Sequence, residues 1–215
     1  MKKMKYLVIL CSILFLSACS FGQQTEEKLS NILTELYESE SDYRAVQSEL
    51  IAIEKKEQAN FQSMMELTKD QKEELTKQVG ETSKLLEERL VLVEKEAASI
   101  TKASEKLKQL QTLISETKDE SEKANLEKME EALKNRYAAY DALTEEYNSL
   151  ASLQEELYNL LITEEAEVKT IQNKVAEVNK QNEVVKKAVE KFNELTTQLN
   201  KVKEDIFTSL QEEKK

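Results

Sequence analysis

A seven-residue rhythm of apolar side chains, unbroken by any proline, constrains this chain more than anything else in it. From Leu29 one column runs through Leu36, Tyr43, Leu50 and Met64 at multiples of seven, beside a second through Ile32, Val46, Ile53 and Leu67. Side chains so spaced share one face of an α-helix, so the two columns form a single apolar stripe. Ser39, Glu57 and Asn60 interrupt it, with Phe61 next to the last. The following column, Val79, Leu86, Val93, Ile100, Leu107 and Ile114, keeps the interval but slips one residue in phase. Such a slip marks a stutter or a new helix. Two further columns share one phase almost to the end: Leu126, Leu133, Tyr140, Tyr147, Leu161, Val168, Val175, and Leu143, Leu150, Leu157, Ile171, Val178, Val185, Phe192, Leu199, Ile206.

No stretch alternates with period two, and Gly22 and Gly80 are the only glycines. An α/β solute-binding fold needs many glycine and proline turns, whereas a chain that is 34% charged with so few turn formers belongs to long helices. Cap chemistry must then mark the boundaries. Thr68-Lys69-Asp70-Gln71 fits a capping box at the phase slip. Ser115 to Asn125 is polar and rich in Ser, Thr, Asp and Asn, which reads as a second turn. Thr163-Glu164-Glu165 places a hydroxyl before two acids, suiting an N-cap at the positive end of a helix dipole.

The expected fold is all-α, an elongated antiparallel up-and-down bundle of four long helices at about 25–66, 69–116, 121–162 and 165–211, each about 60–70 Å long. Two alternatives stay open. Gly80-Glu81-Thr82 is a second candidate for the first turn, and a three-helix, spectrin-like arrangement follows if the break near 163 is absent.

The N-terminus has a different character. Lys2, Lys3 and Lys5 precede an apolar run from Tyr6 to Leu16, the layout of an export signal in residues 1–18. The run is shorter than the roughly 20 residues needed to span a membrane. It ends in Leu16-Ser17-Ala18-Cys19, which looks like a bacterial lipobox. That resemblance implies cleavage between Ala18 and Cys19 and a diacylglyceryl group on the Cys19 sulfur. Two acyl chains anchor stably where one binds reversibly, at about 0.8 kcal/mol per buried methylene. Cys11 leaves with the signal, so no intrachain disulfide is possible. Residues 19–24 would form the lipidated end and a short tether, keeping the bundle from 25 onwards within roughly 20 Å of the bilayer.

Loss of the three signal lysines takes the formal charge from −11 to −14 on the remaining 197 residues. This sign disfavours nucleic acid and anionic wall polymers, with a reach of about 8 Å at physiological salt. There is no histidine, which excludes Ser-His-Asp, Cys-His, zinc-histidine and Glu-x-x-His di-iron chemistry. Paired acids at Glu73-Glu74, Glu87-Glu88, Glu145-Glu146 and Glu155-Glu156 could serve a glycosidase. On helices such pairs are ordinarily solvated faces, and Glu73-Lys77 fits that pattern. No catalytic residue, metal site or cofactor is therefore expected beyond the lipid on Cys19.

Tyr137, Tyr140, Tyr147 and Tyr158 crowd the third helix and are candidates for glycan or partner contact. Tyr140 and Tyr147 also lie in a core column, where a ring packs and its hydroxyl reaches the rim. Glu57, Asn60, Gln154, Glu164 and Asn182 at seam positions read as register-setting polar residues.

The lipobox, the acidic tyrosine-bearing helices and a body lacking histidine and further cysteine together resemble the YkyA-like cell-wall-binding lipoprotein family of Gram-positive bacteria. The resemblance implies a helical bundle on the outer face of the cytoplasmic membrane, associated with the wall, and supplies no catalytic residues. The expected function is a non-catalytic, membrane-anchored binding or scaffold module that contacts peptidoglycan or an envelope protein. Alternatives are an adaptor or regulator of a wall hydrolase, a self-associating spacer, and a carboxylate-dependent hydrolase.

Overall fold

The computed structural model describes residues 24–68 and 70–212. The Leu16–Cys19 motif, with the expected cleavage and acylation positions Ala18 and Cys19, lies outside them. Among the described residues there are six helical segments and no strand. They are α1 over 24–39, α2 Ser41–Glu66, α3 Lys72–Glu105, α4 Leu107–Glu116, α5 Glu120–Leu161 and α6 Val168–Glu212. Single-residue interruptions at Glu40 and Lys106 separate α1 from α2 and α3 from α4, so the described residues fold as four long helices.

The turns are built without left-handed backbone, and no described residue has a positive φ. Leu67 ends α2 with ψ 142° and Thr117 ends α4 with ψ 123°, both in the extended region. Extended residues with polar flanks therefore do what glycine does elsewhere. At the first turn only half of the capping box forms. Gln71 Oε1 accepts the Thr68 N–H at 3.0 Å, but the Thr68 hydroxyl donates to the same oxygen and does not cap a backbone N–H. Helix α3 accordingly begins at Lys72. At the second turn Asp119 Oδ1 accepts the N–H groups of Ser121 and Glu122 at 2.9 and 3.0 Å, an N-cap in the middle of the polar stretch. At the third, the Thr163 hydroxyl donates back to the Asn159 carbonyl at 2.9 Å. Thr163 thus closes α5 instead of opening α6.

Gly80 lies inside α3, which removes it as a turn. A Cβ there would meet nothing within 4 Å. Gly80→Ala is expected to raise stability by about 0.5–1 kcal/mol, because alanine loses less backbone entropy in a helix. Urea unfolding measures this directly, and an unchanged or lowered midpoint would contradict it.

The chain divides into two compact units. Among the described residues, one comprises 24–38, 103–136 and 195–212, and the other the described part of 39–102 with 137–194. The first buries Leu29, Leu36, Leu110, Leu126, Met129 and Leu133, each at 3% exposure or less. The second buries Val79, Leu86, Ile100, Leu150, Leu157 and Val178, with Phe61 and Leu161 packed against its clusters. Heptad positions supply nearly all of these side chains, and each large one contributes about 1.5–3 kcal/mol on leaving water.

The interruption at Glu40 has a visible cause in the second unit. The buried Ser99 hydroxyl donates to the Ser39 carbonyl at 2.8 Å and accepts the Tyr43 N–H at 3.2 Å. Those two backbone groups would otherwise pair with each other across one helical turn. A side chain inserted into the ladder breaks the helix at that point.

Candidate functional site

The second unit carries ionisable side chains through its interior at heptad spacing. Helix α3 contributes Thr82, Arg89 and Glu96, three residues along the helix from the apolar column Val79, Leu86, Val93. All three are buried, at 0, 3 and 6% exposure. Helix α2 contributes Gln47, Glu54, Glu57 and Asn60, and α5 contributes Tyr140, Tyr147, Gln154 and Tyr158. Repeats of seven on each helix stack these groups in successive layers, because seven residues return a side chain to the same face.

In one layer Arg89 Nε lies 3.2 Å from Glu57 Oε1, with both side chains at 4% exposure or less. Arg89 Nη2 donates to Gln154 Oε1 at 2.5 Å, and its guanidinium sits 5.2 Å from the Tyr147 ring centroid. Asn60 donates to the Thr82 hydroxyl at 3.1 Å. Glu57 therefore depends on one cation for charge balance, and its carboxylate oxygens make no aligned hydrogen bond. Burial pushes Glu57 up to about 7, against the pull of Arg89 and with a further push from Glu54.

The adjoining layer opens into a cavity of about 250 Å³ between α2, α3, α5 and α6. Its walls include Tyr43, Tyr140, Tyr147, Phe192, Glu54 and Glu96. Tyr43, Tyr140 and Phe192 meet edge to face, with centroids 5.5–6.1 Å apart. Tyr147 Oη donates to Glu54 Oε1 at 2.5 Å, Tyr140 Oη donates to Glu96 Oε2 at 3.2 Å, and Gln47 Nε2 donates to Glu96 Oε1. Burial raises Glu96 to about 7, opposed by the Tyr140 and Gln47 hydrogen bonds and reinforced by the charge of Glu54. Burial likewise drives the Tyr140 and Tyr147 hydroxyls well above the ordinary tyrosine range. Ile51 and Val189, at 49 and 39% exposure, also line the cavity and stay open to solvent.

The raised acids set a pH dependence. Between about pH 4.5 and 7 the folded chain holds protons on Glu57 and Glu96 that the unfolded chain has released. Stability is therefore expected to fall as pH rises through that window and to level off above it. Glu35 and Glu130 are shifted downward and act below the window. Urea melts from pH about 5 to about 8 test this, and Glu96→Gln should flatten the slope. A stability that climbs across the window would contradict the assignment.

Of the tyrosines marked in the sequence, Tyr140 and Tyr147 line the cavity, with Tyr140 buried and Tyr147 half-buried. Tyr137 is buried, and its hydroxyl donates to Glu40 at 3.0 Å. Tyr158 packs with Met64, Val79 and Leu86, and burial pushes its hydroxyl up to about 12. Of the seam polar residues, Glu57, Asn60 and Gln154 join the interior layers, whereas Glu164 and Asn182 face solvent. The paired acids line no part of this cavity. Glu146 accepts from Gln181 at 2.6 Å and Glu156 from Lys174 at 2.7 Å, as surface links between α5 and α6. Among the described residues no three Cys, Asp or Glu gather as a metal site, and no helix is long and apolar enough to cross a membrane.

Fold and interior together define the class: an all-α bundle of four long helices with ionisable layers and a polar-walled cavity inside one of its units. The chain belongs to the YkyA family, described as "Putative cell-wall binding lipoprotein", which residues 24–209 match. It is 24% identical over 194 residues to the uncharacterized lipoprotein YkyA of Bacillus subtilis (strain 168), spanning 90% of this chain and 86% of that protein. A crystal structure of a conserved protein of unknown function from Staphylococcus aureus matches with a TM-score of 0.73 at 15% identity, covering 87% of this chain and 93% of the other. That likeness is one of fold.

Proposed function

We propose that the mature chain is a non-catalytic binding module, tethered through a diacylglyceryl group on Cys19 to the outer face of the cytoplasmic membrane, that holds a component of the wall. The carrying observation is the cavity of the second unit. It concentrates aromatic faces and hydrogen-bonding acids in an interior that a purely structural bundle would fill with leucine and valine. The family description supports the wall as the source of the ligand. With the chain strongly acidic, attraction to anionic polymers at long range is not available, so recognition is local.

One observation favours a second reading: Glu54 and Glu96 share the cavity, and Glu96 is raised in the manner of a general acid. The cavity volume of about 250 Å³ is below the roughly 300–1,000 Å³ of ordinary ligand pockets. It suits a side group and not a saccharide chain laid across two carboxyls. Incubation with purified sacculi separates the two readings. Retention of intact protein above that of an acidic control bundle, with no release of reducing sugar, supports binding. Release of sugar would favour the hydrolase. Retention no greater than the control, with or without teichoic acid and Mg²⁺, would overturn direct wall binding and leave an envelope protein as the partner.

A further inference from the structure

The cavity of the second unit lacks a charge that its walls are built to meet. Glu54 and Glu96 both line it, close enough for the charge of Glu54 to act on Glu96, and no lysine or arginine is among its lining residues. Arg89, the buried cation of the neighbouring layer, is committed to Glu57, Gln154 and the face of Tyr147. Among the described residues the two cavity acids are met by neutral donors alone, one to Glu54 from Tyr147 and two to Glu96 from Tyr140 and Gln47. A carboxylate has about four acceptor sites. Acceptor capacity is therefore left at both groups.

Apart from Gln47, Thr144 and Asn193, the remaining wall is aromatic and aliphatic. Tyr43, Tyr140 and Phe192 form a cluster of edge-to-face rings, Leu50 and Val93 form part of the wall, and Ile51 and Val189 are exposed to solvent. Aromatic faces attract cations, and a carboxylate with spare lone pairs takes the N–H bonds of an ammonium. An anion would be repelled by the two acids, and a neutral hydroxyl would leave their charge unbalanced in a cavity that no cation lines. A group with three N–H donors on a short apolar stem matches both halves of the lining.

We propose that this cavity receives a primary ammonium group carried on a short aliphatic chain, with Glu54 and Glu96 as its acceptors and the aromatic cluster around its stem. Only the source of the amine rests on the wall-binding reading. The side-chain amine of a diamino acid in a peptide stem offers such a group, whereas the amine of an aminoacyl ester on a teichoic polymer offers the ammonium without the stem.

The test is calorimetric titration of the mature lipoprotein, in detergent at pH about 8, with four probes. Nα-acetyl-L-lysine and D-alanine methyl ester carry the amine in the two settings, and their N-acetylated counterparts lack it. At least about tenfold tighter binding of one amine than of its acetylated form is expected, and the preferred amine names the source. Glu54→Gln and Glu96→Gln should each weaken it several-fold. Ile51→Lys, at an exposed position where folding is not at stake, should weaken it by placing a competing charge at the cavity. Equal binding of amine and acetylated probes, no saturable binding up to about 10 mM, or unaltered affinity in all three variants would overturn the proposal. Amine binding without sacculus retention would sink the wall reading alone, and sacculus retention without amine binding would sink this one alone.

Discussion

Replacing Glu57 by leucine is expected to lower the unfolding free energy by about 3–5 kcal/mol at pH about 8, where the wild-type carboxyl is ionised. The loss comes from Arg89. Its guanidinium is buried at 3% exposure and would keep only the Gln154 oxygen and the Tyr147 ring as partners. A guanidinium cannot shed its proton, so the uncompensated charge stays in the interior. Arg89→Met should cost less than Glu57→Leu, since the orphaned Glu57 carboxyl can take up a proton and become neutral. The double variant, Glu57→Leu with Arg89→Met, should recover most of the loss because an apolar pair of similar volume needs no charge balance. Denaturant melts of the three variants measure the ordering. A larger cost for Arg89→Met, or a double variant as unstable as Glu57→Leu, would refute this account of the layer.

Replacing Cys19 by alanine is the change with the largest expected effect on where the protein resides. Without the thiol there is no acceptor for the proposed diacylglyceryl group, and no described helix is long and apolar enough to cross a bilayer. The acidic surface also gives no electrostatic hold on anionic headgroups. Cys19→Ala is expected to appear in the medium or to accumulate as unprocessed precursor, with little processed protein in the membrane fraction. Fractionation with mass measurement of the N-terminus reads this out. A fully processed Cys19→Ala chain that stays with the membrane would contradict lipid anchoring.

The helices were legible because burial follows the apolar columns. Leu29, Leu36, Leu50, Leu86, Val93, Leu126, Leu150, Leu157, Val185 and Phe192 all lie inside, as the spacing of seven requires. The interruption at Glu40 was not legible, because its cause is Ser99, about sixty residues away, and no local pattern marks a hydroxyl that inserts into another helix. Cap roles were half legible for the same reason. Thr68 and Thr163 have cap chemistry, but which backbone group each hydroxyl reaches is decided by the path of the chain around it. Asp119 does the capping within the polar stretch from Ser115 to Asn125.

The cavity was the least legible part. Glu57, Asn60 and Gln154 stand out as polar residues on apolar seams, and all three enter the interior layers. Their partners Thr82, Arg89 and Glu96 sit on a companion column of α3, which continues into the buried Ala103 and Leu110. Counting only the apolar column Val79, Leu86, Val93 passes over it, because a column that begins with three polar residues looks like a solvated face. The spacing was present. Knowing that the face is covered requires three other helices.

Retention of cavity variants on sacculi tests the central claim most directly, namely that this lipoprotein holds the wall through the Glu54 and Glu96 cavity. The mature wild type should co-sediment with purified sacculi. Glu54→Gln with Glu96→Gln, shown by melting to be folded, should lose about tenfold in apparent affinity. Glu87→Gln with Glu88→Gln makes the same change of charge on an exposed face of α3 and should bind as the wild type does. Equal retention of all three would contradict the claim and place any wall contact elsewhere on the chain.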